Sequence, residues 1–277
     1  MNASGASPDT PAPLVQLRRD GAVAEIALAA GPLNLVTRDL LRQLDAALRA
    51  LAGDPDLRCV ILHGGTARAF CAGSDIREFA ELRSDASERK ILFEDMVLRS
   101  LARLPVPTIA AIDGPALGGG FELALACDLR VLRRGVVVAL PECQLGGLAG
   151  NGAVRLTRLV GPARAKQMLF TGESIEAERA LAWGLVNQVA DDGSALAAAR
   201  ALAATIAARG PLSNRLAKEL VARAEDDPLD AALLQSTVAQ QRIFESEDLH
   251  EGARAFFQKR PPVFTGLPSP LPKENTP

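Results

Sequence analysis

The residues with the most chemical potential in this chain are two glutamates and a run of glycines. The run Ala116-Leu117-Gly118-Gly119-Gly120-Phe121-Glu122 comes shortly after the apolar stretch 107–112. Glycines between a strand and a helix leave backbone amides uncovered by side chains, so a ligand oxygen can approach them closely. Amides in a helix's first turn lack internal partners, and the aligned peptide dipoles add positive potential there, which favours negative charge. An oxyanion can be held at such a place. Glu122 then stands beside it, an electrostatic conflict more common at catalytic sites than elsewhere. The plainer alternative is a glycine-rich turn followed by a solvated glutamate.

Glu142 follows Pro141 at the end of the short apolar run 136–140, twenty residues after Glu122. That separation accommodates a helix, a strand out and a strand back, so both carboxylates can face one pocket; a surface glutamate after a proline is the alternative. A further backbone donor lies in Phe70-Cys71-Ala72-Gly73-Ser74-Asp75-Ile76. Gly73 permits a sharp turn, and Ser74 opens the next helical stretch with an exposed amide. Ser74 and Asp75 also suit helix capping, which is compatible because a capped helix start is itself an anion site.

Several elements must position these groups. Segments 14–19 and 22–28, separated by Asp20-Gly21, read as a hairpin. From Thr37, an N-cap residue type, apolar side chains recur at helical spacing through Leu51 until Gly53 and Pro55 stop them. An apolar strand over 59–62, a helix over 91–104 and a strand over 108–112 lead into the glycine run. Beyond Gly161 the pattern predicts helices over 163–169, 175–182, 195–208, 212–224 and 229–257. The breaker Gly210-Pro211 predicts a boundary between an α/β core (14–209) and a helical C-terminal part (210–265), with flexible tails over 1–13 and the proline-rich 266–277.

Composition narrows the function. The chain has 277 residues, 48% hydrophobic and 23% charged, typical of a globular protein with a substantial core. A net charge of -2 lacks the basic balance of a nucleic-acid or membrane-surface binder. Cys59, Cys71, Cys127 and Cys143 are widely separated, without the paired spacing of a zinc site, so no metal is expected and the thiols are read as reduced. With no secretory signal and no apolar run near the ~20 residues that cross a bilayer, a cytoplasmic location is expected. Gly150-Asn151-Gly152 falls short of a dinucleotide fingerprint. There is no serine-hydrolase elbow, and His63 and His250 are the only histidines.

Taken together, Phe70 to Ile76, Ala116 to Glu122, Cys127-Asp128, Pro141-Glu142 and Leu181-Ala182-Trp183-Gly184-Leu185-Val186 resemble the crotonase, or enoyl-CoA hydratase/isomerase, superfamily, over about residues 14 to 264. The resemblance implies an α/β fold: a spiral core of ββα repeats followed by a C-terminal helical trimerisation region, giving a homotrimer or a hexamer. It implies an acyl-CoA thioester as substrate, with coenzyme A part of that substrate and no separate cofactor. Ser74 and Gly119 match the two amides of the family's oxyanion hole, which fits chemistry that puts enolate charge on a thioester oxygen.

Glu122 and Glu142 match the two catalytic glutamates of the hydratases. Adding water across a conjugated double bond needs a base for water at the β carbon and an acid for the α carbon; Glu122 takes the first role and Glu142 the second. Ala72, Ile76 and Arg77 match a loop along the adenine end of coenzyme A, and Leu33 matches a pantetheine contact. Phe256, Lys259 and Arg260 match a segment that approaches the nucleotide from the trimer. One departure stands out. Where hydratases commonly read Pro-Gly-x-Gly-Gly, this chain has Ala149-Gly150-Asn151-Gly152-Ala153 and is one residue shorter before Arg155; that loop, with Gly150, shapes the acyl pocket. Phe121, where smaller residues are frequent, is expected to pack in the core. An isomerase or another reaction of the family, or a non-catalytic thioester-binding protein, are the other readings.

Overall fold

The computed structural model describes residues 13–191 and 193–266, so the tails expected at 1–13 and 266–277 lie outside the described residues except for Pro13 and Gly266. Two sheets organise the chain. The larger has six strands in the order β1 (Val15–Asp20), β2 (Val23–Leu28), β3 (Cys59–His63), β4 (Thr108–Ile112), β6 (Leu129–Arg133) and β9 (Gln188–Ala190). The smaller pairs β5 (Ala116–Leu117), β7 (Val137–Ala139) and β8 (Ile175–Glu176). β1 and β2 form the expected hairpin, with Asp20 opposite Val23, so its loop is Gly21-Ala22, one residue later than the Asp-Gly pair suggests. The remaining neighbours in the large sheet run parallel.

Both faces of that sheet are covered, which explains why its central strands read as continuous apolar runs. Cys59, Ile61, Ile109, Ala111 and Val131 pack on Ala195, Ala199 and Ala203 of α7 (Ala195–Ala207). The alternate residues Val60, Leu62, Ala110 and Ile112 face the main core. There they meet α1 (Arg38–Ala52), which Thr37 caps by accepting from the Leu40 amide, and α2 (Leu92–Ala102). Phe121 of α3 (Gly119–Leu125) is fully buried in the same core.

Three expectations beyond Gly161 need correction. Ile175 and Glu176 form β8, and the helix begins only at α6 (Ala177–Trp183). Residues 188–190 are a strand within a stretch that reads as almost wholly helical. The long helix over 229–257 is two, α9 (Leu229–Phe244) and α10 (Glu247–Phe257), parted where the Ser246 hydroxyl accepts from the Leu249 amide. α8 (Pro211–Asp226) docks on the core through Lys218, which pairs with Asp128 at 2.7 Å and donates to the Val106 carbonyl at 3.0 Å. Gly210-Pro211 starts that helix. Across α8 to α10, Val221, Leu233, Val238, Phe244, Phe256 and Phe257 stay exposed. Among the described residues, no helix is long and apolar enough to cross a membrane and no cluster could hold a metal ion.

Candidate active site

Residues 71–75 thread between two other segments. On one side the Ala72 amide donates to the Leu33 carbonyl at 2.9 Å, and the Val36 amide to the Gly73 carbonyl at 2.9 Å. On the other side the Leu117 amide donates to the Cys71 carbonyl at 3.0 Å. Asn34 locks this weave from within. Fully buried with a left-handed φ of 48°, its side chain accepts from the Ala30 amide and donates to the carbonyls of Gly64, Ala69 and Phe70.

The glycine run must then pass very close to this strand. A Cβ on Gly120 would stand 2.1 Å from the Cys71 carbonyl oxygen, so no side chain fits there. Gly118 has φ 53°, and a Cβ on it would meet the Glu142 carboxylate at 2.8 Å. The approach brings Ser74 and Gly119 together: a Cβ placed on Gly119 would lie 3.6 Å from the Ser74 nitrogen and 3.1 Å from its hydroxyl. Among the described residues neither amide donates to a protein acceptor. Two adjacent, uncommitted amides, one of them opening α3, suit a developing oxyanion.

Glu122 lies in the first turn of α3 and is 9% exposed. Its Oε1 accepts from the Gly152 amide at 2.6 Å, in the first turn of α4 (Gly150–Val160). Burial pushes its carboxyl up to about 7, against the lowering effect of that amide, and the charges of Glu142 and Glu94 raise it further. A carboxyl poised there exchanges protons readily near neutral pH. Glu142 opens a short turn of helix, Glu142–Leu145, directly after Pro141. Its Oε1 packs against Gly118, and its Oε2 is buried without a hydrogen-bond partner among the described residues. Burial raises this carboxyl as well. Glu142 therefore touches the start of the glycine run, and Glu122 follows its end.

The remaining sequence candidates separate into two groups. Leu33, Ala72, Ile76 and Arg77 lie along the segment that carries Ser74, with Leu33 and Ile76 exposed. Arg77 extends from the short helical turn Ile76–Glu81 with its side chain 82% exposed and its guanidinium held by Asp75 at 2.6 Å. Gly150 is exposed at the start of α4, and the contact with Glu122 comes from Gly152 two residues on. Phe256 lies at the exposed end of α10 and Lys259 just past it, and within one chain no described contact joins them to the site. Sequence reasoning missed Gly152 as the partner of Glu122, Asn34 as the lock, and Glu94, whose Oε1 accepts from the Ser74 hydroxyl at 3.4 Å. An asparagine closing the turn-type run Gly31-Pro32-Leu33-Asn34 was the available signal for Asn34; Glu94 left none.

A two-sheet spiral that weaves a glycine-rich helix start against a second uncovered amide, with a buried and a half-buried carboxylate beside them, defines a crotonase-type fold. A family model for enoyl-CoA hydratase/isomerase matches residues 18–267, and the chain belongs to that family of acyl-CoA enzymes. It is 34% identical over 248 residues to a short-chain-enoyl-CoA hydratase of Clostridium acetobutylicum, covering 89% of this chain and 95% of that one. It is 35% identical over 246 residues to an enoyl-CoA isomerase/hydratase, fer4, of Mycosarcoma maydis, covering 84% and 88%. The crystal structure of an enoyl-CoA hydratase from Bacillus anthracis superposes with a TM-score of 0.88 at 33% identity, covering 92% of this chain and all of the other.

Proposed function

We propose that the protein is an enoyl-CoA hydratase, reversibly adding water to a 2-enoyl-CoA thioester to give the 3-hydroxyacyl-CoA. The amides of Ser74 and Gly119 hold the thioester oxygen and stabilise the enolate that forms as water adds. Glu122, ionised, takes a proton from water as its oxygen bonds to the β carbon. Glu142, protonated, delivers a proton to the α carbon as the enolate collapses. The observation carrying this reading is that a buried and a half-buried carboxyl, both with raised proton affinity, border one pair of uncommitted amides. The names of the hydratase relatives support it.

Leu33, Ala72, Ile76 and Arg77 line the coenzyme A side, and Gly150 belongs to the loop closing the acyl side. Phe256 and Lys259 complete the nucleotide site of a neighbouring subunit in a homotrimer or a dimer of trimers, formed by the region 210–265 around the core 14–209. The exposed apolar side chains of α8 to α10 support that assembly, and light scattering tests it: a stable monomer at micromolar concentration contradicts it. The protein is proposed to act in the cytoplasm.

An isomerase is the second reading, favoured by the altered 149–153 loop and by the double name of the Mycosarcoma relative. Moving a proton needs only one carboxylate, Glu142. Turnover of a panel of enoyl-CoA thioesters, followed by loss of ultraviolet absorbance and by the product's gain of one water in mass, tests the main reading. Hydration of at least one member is the expected result; isomerisation alone, or binding without turnover, overturns it.

A further inference from the structure

Beside the paired amides, α2 and the start of α4 carry charged and polar side chains. Glu94 on α2 has a side chain only 17% exposed, and its Oε1 accepts from Ser74, the residue whose amide faces Gly119. Its charge reaches Glu122. The next residue, Asp95, accepts from Asn151 at 2.8 Å, and Asn151 accepts from Arg155 at 2.5 Å. Asn151 immediately precedes Gly152, the partner of Glu122, so this polar seam is continuous with the site.

Glu94 is loosely paired and still partly open to water. Its contacts are long, 3.4 Å to the Ser74 hydroxyl and 3.5 Å to Lys90, and Lys90 is shared with Glu78 at 3.6 Å. Lys90 supplies the balancing charge without making a close hydrogen bond, so Glu94 keeps acceptor capacity for a neutral donor. An alkyl group laid over it would strip water from a carboxylate and return nothing. A hydroxyl there would donate to it.

Resting on the acyl-thioester reading of this site, we propose that Glu94 determines acyl specificity. It selects short acyl groups that carry a hydroxyl beyond the reacting carbons over unsubstituted alkyl groups of the same length. A site built to hydrogen-bond a substrate hydroxyl discriminates strongly against the analogue that lacks it.

Calorimetric titration with butyryl-CoA and 4-hydroxybutyryl-CoA tests this without depending on turnover, since neither can be hydrated. The unmodified protein is expected to bind the hydroxylated thioester about tenfold more tightly, the effect of one charge-assisted hydrogen bond. Glu94→Leu should invert the preference, and Glu94→Gln should reduce it. Equal or reversed binding by the unmodified protein overturns the proposal, as does a preference that survives Glu94→Leu. Should the leucine variant not fold, an undiminished preference in Glu94→Gln overturns it instead. The two readings fail separately. Binding of both thioesters without discrimination removes only the specificity role; preference for the hydroxylated one in a protein that hydrates no enoyl thioester removes only the hydratase. Binding of neither removes both.

Discussion

Glu25 and Glu122 are two buried carboxylates in different regions of one chain, and their surroundings push them in opposite directions. Glu25, on β2, is 5% exposed and receives both Nε and Nη2 of Arg200 at 2.7 and 2.8 Å. That bidentate hydrogen bond holds its carboxyl below the usual range despite burial. Glu122 is 9% exposed, but its one described partner is a neutral amide, and burial raises it to about 7. Burial alone therefore does not mark a working carboxylate. What distinguishes Glu122 is burial without a cation on it, a costly arrangement that stability does not favour. His63, beside Glu25, belongs to the structural region: its Nδ1 accepts from the Gly65 amide, and burial lowers its proton affinity.

The largest effect that sharpens this contrast is on catalysis. Glu142→Gln keeps size and polarity but removes proton transfer, and should cut hydration about 10²- to 10⁴-fold in the ultraviolet assay while thioester binding persists. A near-normal rate would return Glu142 to the structural class.

The next effect is on stability. A carboxyl raised from 4.5 to about 7 adds stability below pH 4.5 that is lost as pH rises through about 7. Glu122→Gln should thus be more stable than the parent at pH 8, by on the order of 2–3 kcal/mol, with the difference closing near pH 4. Urea unfolding at the two pH values measures it, and a pH-independent difference would mean that the fold does not raise the proton affinity of Glu122.

Arg200→Met makes Glu25 resemble Glu122. It should cost about 1–2 kcal/mol at neutral pH, less than a fully buried pair, because Arg200 is half exposed. Since the Glu25 carboxyl is lowered, that contribution is present above its unfolded value and disappears as pH falls through the folded one, so parent and variant should converge in acid. The smallest effect is expected at Ser74→Ala, where the proposed oxyanion donor is the amide, which the substitution keeps, and not the hydroxyl. Turnover should stay within about threefold, against the 10²- to 10³-fold typical of losing an oxyanion donor; a loss of that larger size in a folded variant would assign the hydroxyl itself a part.

Local signals announced the frame of this site and little of its wiring. The strand Thr108–Ile112, the Thr37 cap and the start of α3 at Gly119 were legible because each is fixed by nearby residues. β8 and β9 were not, since strands of two and three residues carry no periodicity and exist only through their partners in the sheets. The break at Ser246 had a capping residue to announce it, overridden by apolar spacing that continues across it. The pairing of Glu122 with Gly152 spans thirty residues, and that of Ser74 with Glu94 twenty; only the folded backbone makes them neighbours. The cation on Glu25 is still more distant, on α7.

The most direct test of the account is hydration of an enoyl-CoA thioester by Glu122→Gln, measured beside thioester affinity. With Glu122 activating water, hydration should fall about 10²- to 10⁴-fold with affinity nearly unchanged. Hydration at close to the parent rate would contradict the two-carboxylate mechanism and leave Glu122 a buried acid without a part in the reaction.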